Sequence, residues 1–189
     1  GSLDKKRREI IKRLREEELL DKNGKLPLPP VLQRIAVISS DTAAGWSDFR
    51  EHLQQNAFGH SFHLNLHTAK MQGDRTETDV VRQLESIAGG PDRYDCVVMI
   101  RGGGSSLDLS AFDSYAIGKA IAESPIPVLS GIGHETDETI PDLVAHTALK
   151  TPTAAAHFLL EHNLQFEQKL LEYLDELFRL IQLRSGESM

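Results

Sequence analysis

The stretch CVVMIRGGGSS, residues 96–106, decides the fold class because a short apolar run passes directly into a glycine loop. A short apolar run that ends at a turn signal is typical of a buried strand. Three other runs have the same character, and helical patterns separate them. The strand candidates are 34–39, 61–67, 96–100 and 127–130, and the helical patterns lie near 46–56, 75–88 and 110–123. This alternation predicts an α/β fold, with a parallel sheet of about four or more strands and helices on both faces.

Both ends of the chain have a different pattern. Residues 3–20 show a helical period with a basic cluster on one side, and Asn23-Gly24 and three prolines at 27, 29 and 30 then break it. After residue 151 apolar side chains recur at spacings of three, four or seven up to about 183. That spacing fits the start of a coiled coil and fits an amphipathic helix packed on the domain equally well. The predicted division is a linker helix and Pro-rich connection (1–30), an α/β catalytic domain (31–150) and the start of a C-terminal coiled-coil helix (151–189).

Composition limits the function classes. Hydrophobic residues make up 40% of the 189 and charged residues 26%, the balance of a folded globular protein. No apolar run approaches the length of a membrane span, so we expect a cytoplasmic protein. The only cysteine, Cys96, lies in an apolar run and is expected to be a buried, inert thiol. A formal net charge of −7 argues against binding nucleic acid by global attraction, so any contact with DNA must be local.

The loop after the strand at 96–100 is the first candidate site. Consecutive glycines allow backbone N–H groups to approach an anion closely, and the planar guanidinium of Arg101 suits phosphate oxygens. The predicted phosphate-binding residues are Gly102, Gly103, Gly104 and Ser105, with Arg101 as a catalytic cation. The alternative is a flexible turn whose arginine forms a surface ion pair. Because no Lys-Ser or Lys-Thr follows the last glycine, an ATPase is disfavoured.

The second candidate site is GIGHETD, residues 131–137, directly after the strand at 127–130. It places an imidazole and two carboxylates within four consecutive residues. His134 can transfer a proton there, and Asp137 can orient the imidazole ring. A zinc-protease HExxH motif is not met because Glu138 stands where its second histidine belongs. The alternative is a histidine with a purely structural role.

The third candidate is SSDTAAGWSD, residues 39–48, after the first strand. Ser47 or Asp48 in this segment is first interpreted as a helix cap. Because the carboxyl ends of parallel strands share one edge, the three loops predict a site for phosphoryl or phosphodiester chemistry. Arg101 and loop amides would stabilise the charge on phosphorus, and His134 would transfer the proton. The spacing does not identify the substrate.

Three ordered motifs point to a known family. They are RGGGSSLDLSAFD (101–113), SPIPVLSGIGHETDETIPDLVA (124–145) and TPTAAA (151–156). In this order they resemble the large subunits of exodeoxyribonuclease VII, and the similarity covers almost the whole chain. The resemblance implies a hydrolase that degrades single-stranded DNA from either end to short oligonucleotides. It also implies that Asp48, Arg101, His134 and Asp137 are catalytic, which changes the interpretation of Asp48 from helix cap to catalytic carboxylate.

The resemblance implies partners and cofactors as well. Large subunits of this family carry an OB-fold before this domain, and several copies of a small subunit bind a long coiled coil after it. No cofactor is required, although Asp48 and Asp137 could hold Mg²⁺. Two other interpretations stay open: a non-catalytic phosphate- or nucleotide-binding module, and an assembly scaffold built on the terminal helix.

Overall fold

A computed structural model describes residues 2–102, 106–132 and 138–186, and its centre is a five-stranded parallel sheet. The strands are β1 (Arg34–Ser39), β2 (His63–Thr68), β3 (Cys96–Ile100), β4 (Val128–Gly131) and β5 (Thr147–Ala148). The helices are α1 (Ser2–Glu16), α2 (Ala44–Gln54), α3 (Thr76–Ala88), α4 (Tyr115–Glu123), α5 (Ile140–Val144) and α6 (Pro152–Gly186). Short 3-10 helices cover Pro91–Arg93 and Ser106–Phe112. The strands lie in the order β2-β1-β3-β4-β5, which confirms the predicted α/β fold.

Side chains alternate between the two faces of the sheet. Ile35 and Val37 of β1 pack with α2 and the first turns of α6, whereas Ala36 and Ile38 face a core formed with α1, α3, α4 and α5. Because both faces are covered, β1 and β3 are almost continuously apolar instead of alternating. Helices therefore lie on both faces, as the sequence predicts.

Several element boundaries differ from prediction. The helix expected over 110–123 starts only at Tyr115, because the Ser114 hydroxyl caps it by accepting a hydrogen bond from the Ile117 amide at 3.2 Å. The helix expected over 3–20 ends at Glu16, because Glu18 adopts a left-handed conformation (φ 57°). The Leu19 amide then bonds the Leu14 carbonyl at 2.8 Å and returns the chain to the core.

A buried asparagine fixes the connection after α1. The Asn23 amide nitrogen donates to the carbonyls of Ile121 and Ile126, at 3.1 Å each. Its oxygen accepts from the Val128 amide at 2.9 Å and from the His146 amide at 3.1 Å. This single side chain thereby joins the connection to the start of β4, at the amino edge of the sheet.

The long helix α6 has a buried part and an exposed part. Ala155, Ala156, Leu159 and Leu160 belong to the core, and the Asn163 side chain bonds both the amide and the carbonyl of Leu32, at 2.8 and 2.9 Å. Large apolar side chains beyond this point are exposed, among them Leu170, Leu171, Leu174, Leu177, Phe178 and Ile181. Within the described part of the chain, no helix is both long enough and apolar enough to cross a bilayer.

Candidate active site

A crevice lies at the carboxyl ends of β1 and β3, where the connections that follow these two strands lead to opposite faces of the sheet. The loop after β1 leads to α2, whereas the segment after β3 leads to α4 on the other face. In doubly wound sheets with this strand order, ligands bind at such a switch point, beyond the carboxyl ends of the strands. The topology alone therefore selects the ends of β1 and β3 as the candidate site.

A cavity of about 380 Å³ occupies this crevice. Its polar lining consists of Ser40, Thr42, Lys70, Gln72, Arg101 and Gly102. Arg101 is half-buried, and the hydroxyl oxygens of Ser40 and Thr42 lie 3.1 Å apart. The cavity thus combines two cations with hydroxyl and amide groups, which suits a phosphate-bearing ligand.

The glycine at position 102 permits close contact between two loops. A Cβ added there would lie 2.8 Å from both the Ala43 Cβ and the Ala44 amide nitrogen, closer than real Cβ atoms come. The sequence predicts that Gly102 binds an anion through its backbone, which stays a prediction; the structure shows that Gly102 brings the loop after β3 against the start of α2. A larger residue at 102 would force these loops apart.

The first turns of α2 and α6 meet at the same edge. A Cβ on Gly45 would lie 2.6 Å from the Arg101 carbonyl oxygen and 2.8 Å from Cγ of Pro152. Thr151 caps α6 because its hydroxyl accepts a hydrogen bond from the Ala154 amide at 3.0 Å. Helix N-termini carry partial positive charge, and neither first turn holds an acidic residue. This edge of an acidic protein is therefore locally favourable to anions.

Asp48 lies beside this cavity and not in it. The residue is exposed on α2 and lines a separate open depression of about 540 Å³ between α2 and α6. Other residues around that depression include Glu51, His52, Thr153 and His157. The structure thus places Asp48 and Arg101 in neighbouring hollows, with the first turn of α2 between them.

The remaining predicted site residues lie outside the described part of the chain. They are His134 and Asp137 as catalytic residues, and Gly103, Gly104 and Ser105 as phosphate-binding residues. The chain enters the segment 133–137 from β4, whose Gly131 pairs with Ile100 next to Arg101. The roles of these five residues stay predictions.

Residues on either side of segment 133–137 bind one buried carboxylate. Asp142 accepts hydrogen bonds from the Ser130 hydroxyl at 2.7 Å and from the Thr139 amide and hydroxyl at 3.0 and 2.9 Å. Lys150 lies 3.8 Å from the same side chain. Ser130 precedes the segment and Thr139 follows it, so both of these flanking residues lie beside the end of β4.

The loop between β2 and α3 also reaches the cavity, which the sequence reasoning missed. Lys70 and Gln72 line it. The sequence signal is a cation two residues after the end of a strand, but only the strand order, with β2 next to β1, shows that this loop is adjacent to Arg101.

The cysteine Cys96 is not placed to take part in chemistry at this edge of the sheet. Cys96 is fully buried at the start of β3, and burial raises the pKa of its thiol far above the ordinary value. This confirms the expected buried thiol. Among the residues that the structure describes, no three His, Cys, Asp or Glu side chains are grouped to hold a metal ion.

Comparison with known proteins identifies the family. The family described as "Exonuclease VII, large subunit" matches residues 19–188. The chain belongs to this family. It is 36% identical over 177 residues to the exodeoxyribonuclease 7 large subunit of Cyanothece sp., covering 94% of this chain and 41% of that protein. Its identity to the corresponding protein of Lactobacillus gasseri is 34% over 182 residues, covering 96% and 40%. The chain therefore spans about two fifths of the length of these relatives.

Proposed function

We propose that this chain carries the catalytic domain of an exonuclease that hydrolyses phosphodiester bonds in single-stranded DNA. Family membership supports hydrolysis of DNA. The observation that carries the proposal is the half-buried Arg101 in a polar cavity at the switch point of the sheet, beside two helix N-termini. In this proposal the strand is digested from either end and released as short oligonucleotides.

The proposed chemistry is attack of water on phosphorus. Arg101 binds the non-bridging oxygens and stabilises their developing charge, with help from the amides of residues 102–105. The bond from phosphorus to the leaving oxygen breaks, and His134 transfers the proton while Asp137 orients its ring. A positioned donor contributes about 3 kcal/mol and a general acid or base about 10²–10⁴ in rate.

Asp48 is proposed as the fourth catalytic residue. Because it lines the neighbouring depression, the DNA strand must cross the first turn of α2 for Asp48 and Arg101 to contact the same substrate. Carboxylate oxygens are the ligands that Mg²⁺ prefers, so Asp48 and Asp137 are the residues that would hold one. We propose that no metal is required, and chelation tests this directly.

The decisive experiment is digestion of single-stranded and duplex oligonucleotides, labelled at the 5′ or the 3′ end, with EDTA or Mg²⁺. The protein is assayed together with its small subunit, and His134→Ala is compared with His63→Ala. His63 is an exposed histidine at the start of β2, on the opposite edge of the sheet, and serves as the matched control. We expect cleavage of single strands from both labels, retained in His63→Ala and reduced at least about 10²-fold in His134→Ala.

Other outcomes identify the alternatives. Equal rates for both histidine variants would refute the role of His134. Binding without cleavage in the unmodified protein would favour a non-catalytic phosphate-binding module. Arg101→Lys adds a further check, because lysine keeps the charge but loses the planar fork, and we expect it to be far slower than the wild type.

We further propose that the exposed part of α6 binds the small subunit, in several copies. Its large apolar side chains are exposed, such as Leu174 at 42% and Phe178 at 62%, and an apolar stripe of this size marks an interaction surface. Leu174→Asp should abolish co-elution with the small subunit in size-exclusion chromatography, whereas Glu172→Ala should not. Retained binding in Leu174→Asp would place the small subunit elsewhere.

The division into a linker helix (1–30), a catalytic domain (31–150) and a coiled-coil helix (151–189) is part of the same proposal. A cytoplasmic location also stays a prediction. Limited proteolysis tests the division, because protease should cut first in the exposed part of α6.

A further inference from the structure

We infer that the loop between β2 and α3 is a DNA-binding wall of the crevice, in which Lys70 binds a phosphate next to the cleaved one and Gln72 hydrogen-bonds the same nucleotide. This inference rests on the proposed nuclease function. It adds a binding site on a segment outside the three loops that the sequence motifs mark.

The backbone of this loop is held in a fixed position. Ala69 and Met71 are 2% and 4% exposed and belong to the core, whereas Lys70 and Gln72 are exposed between and after them. The Ala69 amide bonds the Ser39 carbonyl at 2.9 Å and so extends the pairing of β2 with β1 past the strand end. Residues 70–72 all line the cavity, but only Lys70 and Gln72 expose their side chains to a ligand there.

A carboxylate at the start of α3 fixes the loop further. The Lys70 amide donates to Asp79 at 3.2 Å, and the other oxygen of Asp79 accepts from Arg82 at 3.0 Å. Asp79 therefore has its own cationic partner. Gly73, with a φ of 80°, then turns the chain into α3, a conformation that favours glycine.

The charges fit a phosphate ligand. Across the described residues, no carboxylate forms an ion pair with the Lys70 ammonium group. Arg101 and the hydroxyls of Ser40 and Thr42 line the same cavity of about 380 Å³. A volume of this order is at the small end of ligand pockets, on the scale of one nucleotide. In a protein of net charge −7, two cations on one crevice provide the local attraction that a DNA strand needs.

The test compares Lys70→Ala and Gln72→Ala with Lys22→Ala in the protein assembled with its small subunit. Lys22 is a matched control because it is exposed and adjoins Asn23, at the amino edge of the sheet. Binding of a fluorescent single-stranded oligonucleotide is measured by anisotropy from 50 to 200 mM salt. We expect Lys70→Ala to weaken binding roughly 3- to 10-fold and to make the plot of log K against log salt shallower by about 0.7, the value for one phosphate on a single strand. Gln72→Ala should weaken binding without changing this slope.

A second measurement locates the contact. In cleavage assays, one phosphate next to the cleaved bond is replaced by a neutral methylphosphonate. This replacement should slow the wild type and Lys22→Ala but cause no further loss in Lys70→Ala, because the two changes remove the same contact.

The outcomes separate the two proposals. If the wild type cleaves DNA, and Lys70→Ala matches Lys22→Ala in slope, affinity and sensitivity to the methylphosphonate, the inference is overturned and the nuclease proposal stands. If the wild type neither binds nor cleaves single-stranded DNA, the nuclease proposal fails and the inference fails with it.

Discussion

Gly45→Ala is expected to disturb the candidate site and the fold together. Gly45 lies in the first turn of α2, where a Cβ would meet the Arg101 carbonyl oxygen at 2.6 Å and the Pro152 ring at 2.8 Å. The first distance is about 0.8 Å short of the 3.4 Å at which ordinary contact begins. Neither neighbour is the end of a flexible side chain, so α2 itself has to move.

Two opposing effects determine how much Gly45→Ala changes the free energy of unfolding. Alanine is a better helix former than glycine by about 1 kcal/mol. Overpacking against a rigid neighbour costs typically about 1–3 kcal/mol, and here there are two such neighbours. We therefore expect a net loss of about 1–5 kcal/mol, which for a chain of this size lowers the thermal midpoint by roughly 2–20 °C. A displacement of about 1 Å beside Arg101 should also lower the cleavage rate by about 10²-fold.

Thermal unfolding by circular dichroism, paired with the single-strand cleavage assay, measures both effects. The control is Gly24→Ala, whose added Cβ would have its nearest neighbour, the Asp21 carbonyl oxygen, at an ordinary 3.6 Å. We expect the control to match the wild type. A Gly45→Ala protein with unchanged midpoint and rate would refute the close packing of α2 on Arg101.

Three further predictions concern the fold. Asn23→Ala leaves buried backbone groups without partners, at about 1–3 kcal/mol for each, and should lower the urea midpoint clearly; an unchanged midpoint would contradict the hydrogen bonds described. Glu18→Gly should raise the free energy of unfolding by up to about 1 kcal/mol, since glycine adopts the left-handed conformation without penalty. A free energy of unfolding below that of the wild type would contradict the left-handed conformation at residue 18. Burial alone raises the pKa of Asp95, but hydrogen bonds from Arg34 and two backbone amides outweigh it and lower the pKa. The ionised Asp95 carboxylate therefore stabilises the fold fully above its ordinary pKa of about 3.9, and this stabilisation is lost as the pH falls through the lowered pKa of the folded state. In urea titrations from pH 7 to 3, Asp95→Asn should accordingly lose less stability on acidification than the wild type.

The strands in the centre of the sheet could be predicted because burial on both faces makes them continuously apolar. The predicted ranges 34–39 and 96–100 match β1 and β3. Strand β5 has two residues and α5 has five, so neither is long enough to show a period. The capping box of α5, from Thr139 to Asp142, is visible in the sequence, but the neighbouring GHETD motif points to chemistry and gives no sign of a helix start.

The candidate site was predictable only in part. Arg101 could be placed because the loop after β3 ends at the carboxyl edge of any parallel sheet. The contribution of Lys70 depends on β2 lying beside β1, and the alternation of strands and helices does not determine strand order. The position of Asp48 depends on the rotation of α2 about its own axis, which Gly45 sets through its contact with Arg101. Both are tertiary properties that no local pattern encodes.

The continuity of α6 has a mechanical consequence. Its 35 residues, at about 1.5 Å each, form a rod of roughly 52 Å. One end of the rod is clamped between the sheet and α2, and the other extends from the domain. A load applied to the far end acts on a lever whose fulcrum lies near Asn163 and whose short arm ends at Thr151, against the end of β4. A load that bends the rod would therefore press Thr151 against Gly131 at the end of β4, so mechanical tension along α6 would be transmitted to the carboxyl edge of the sheet.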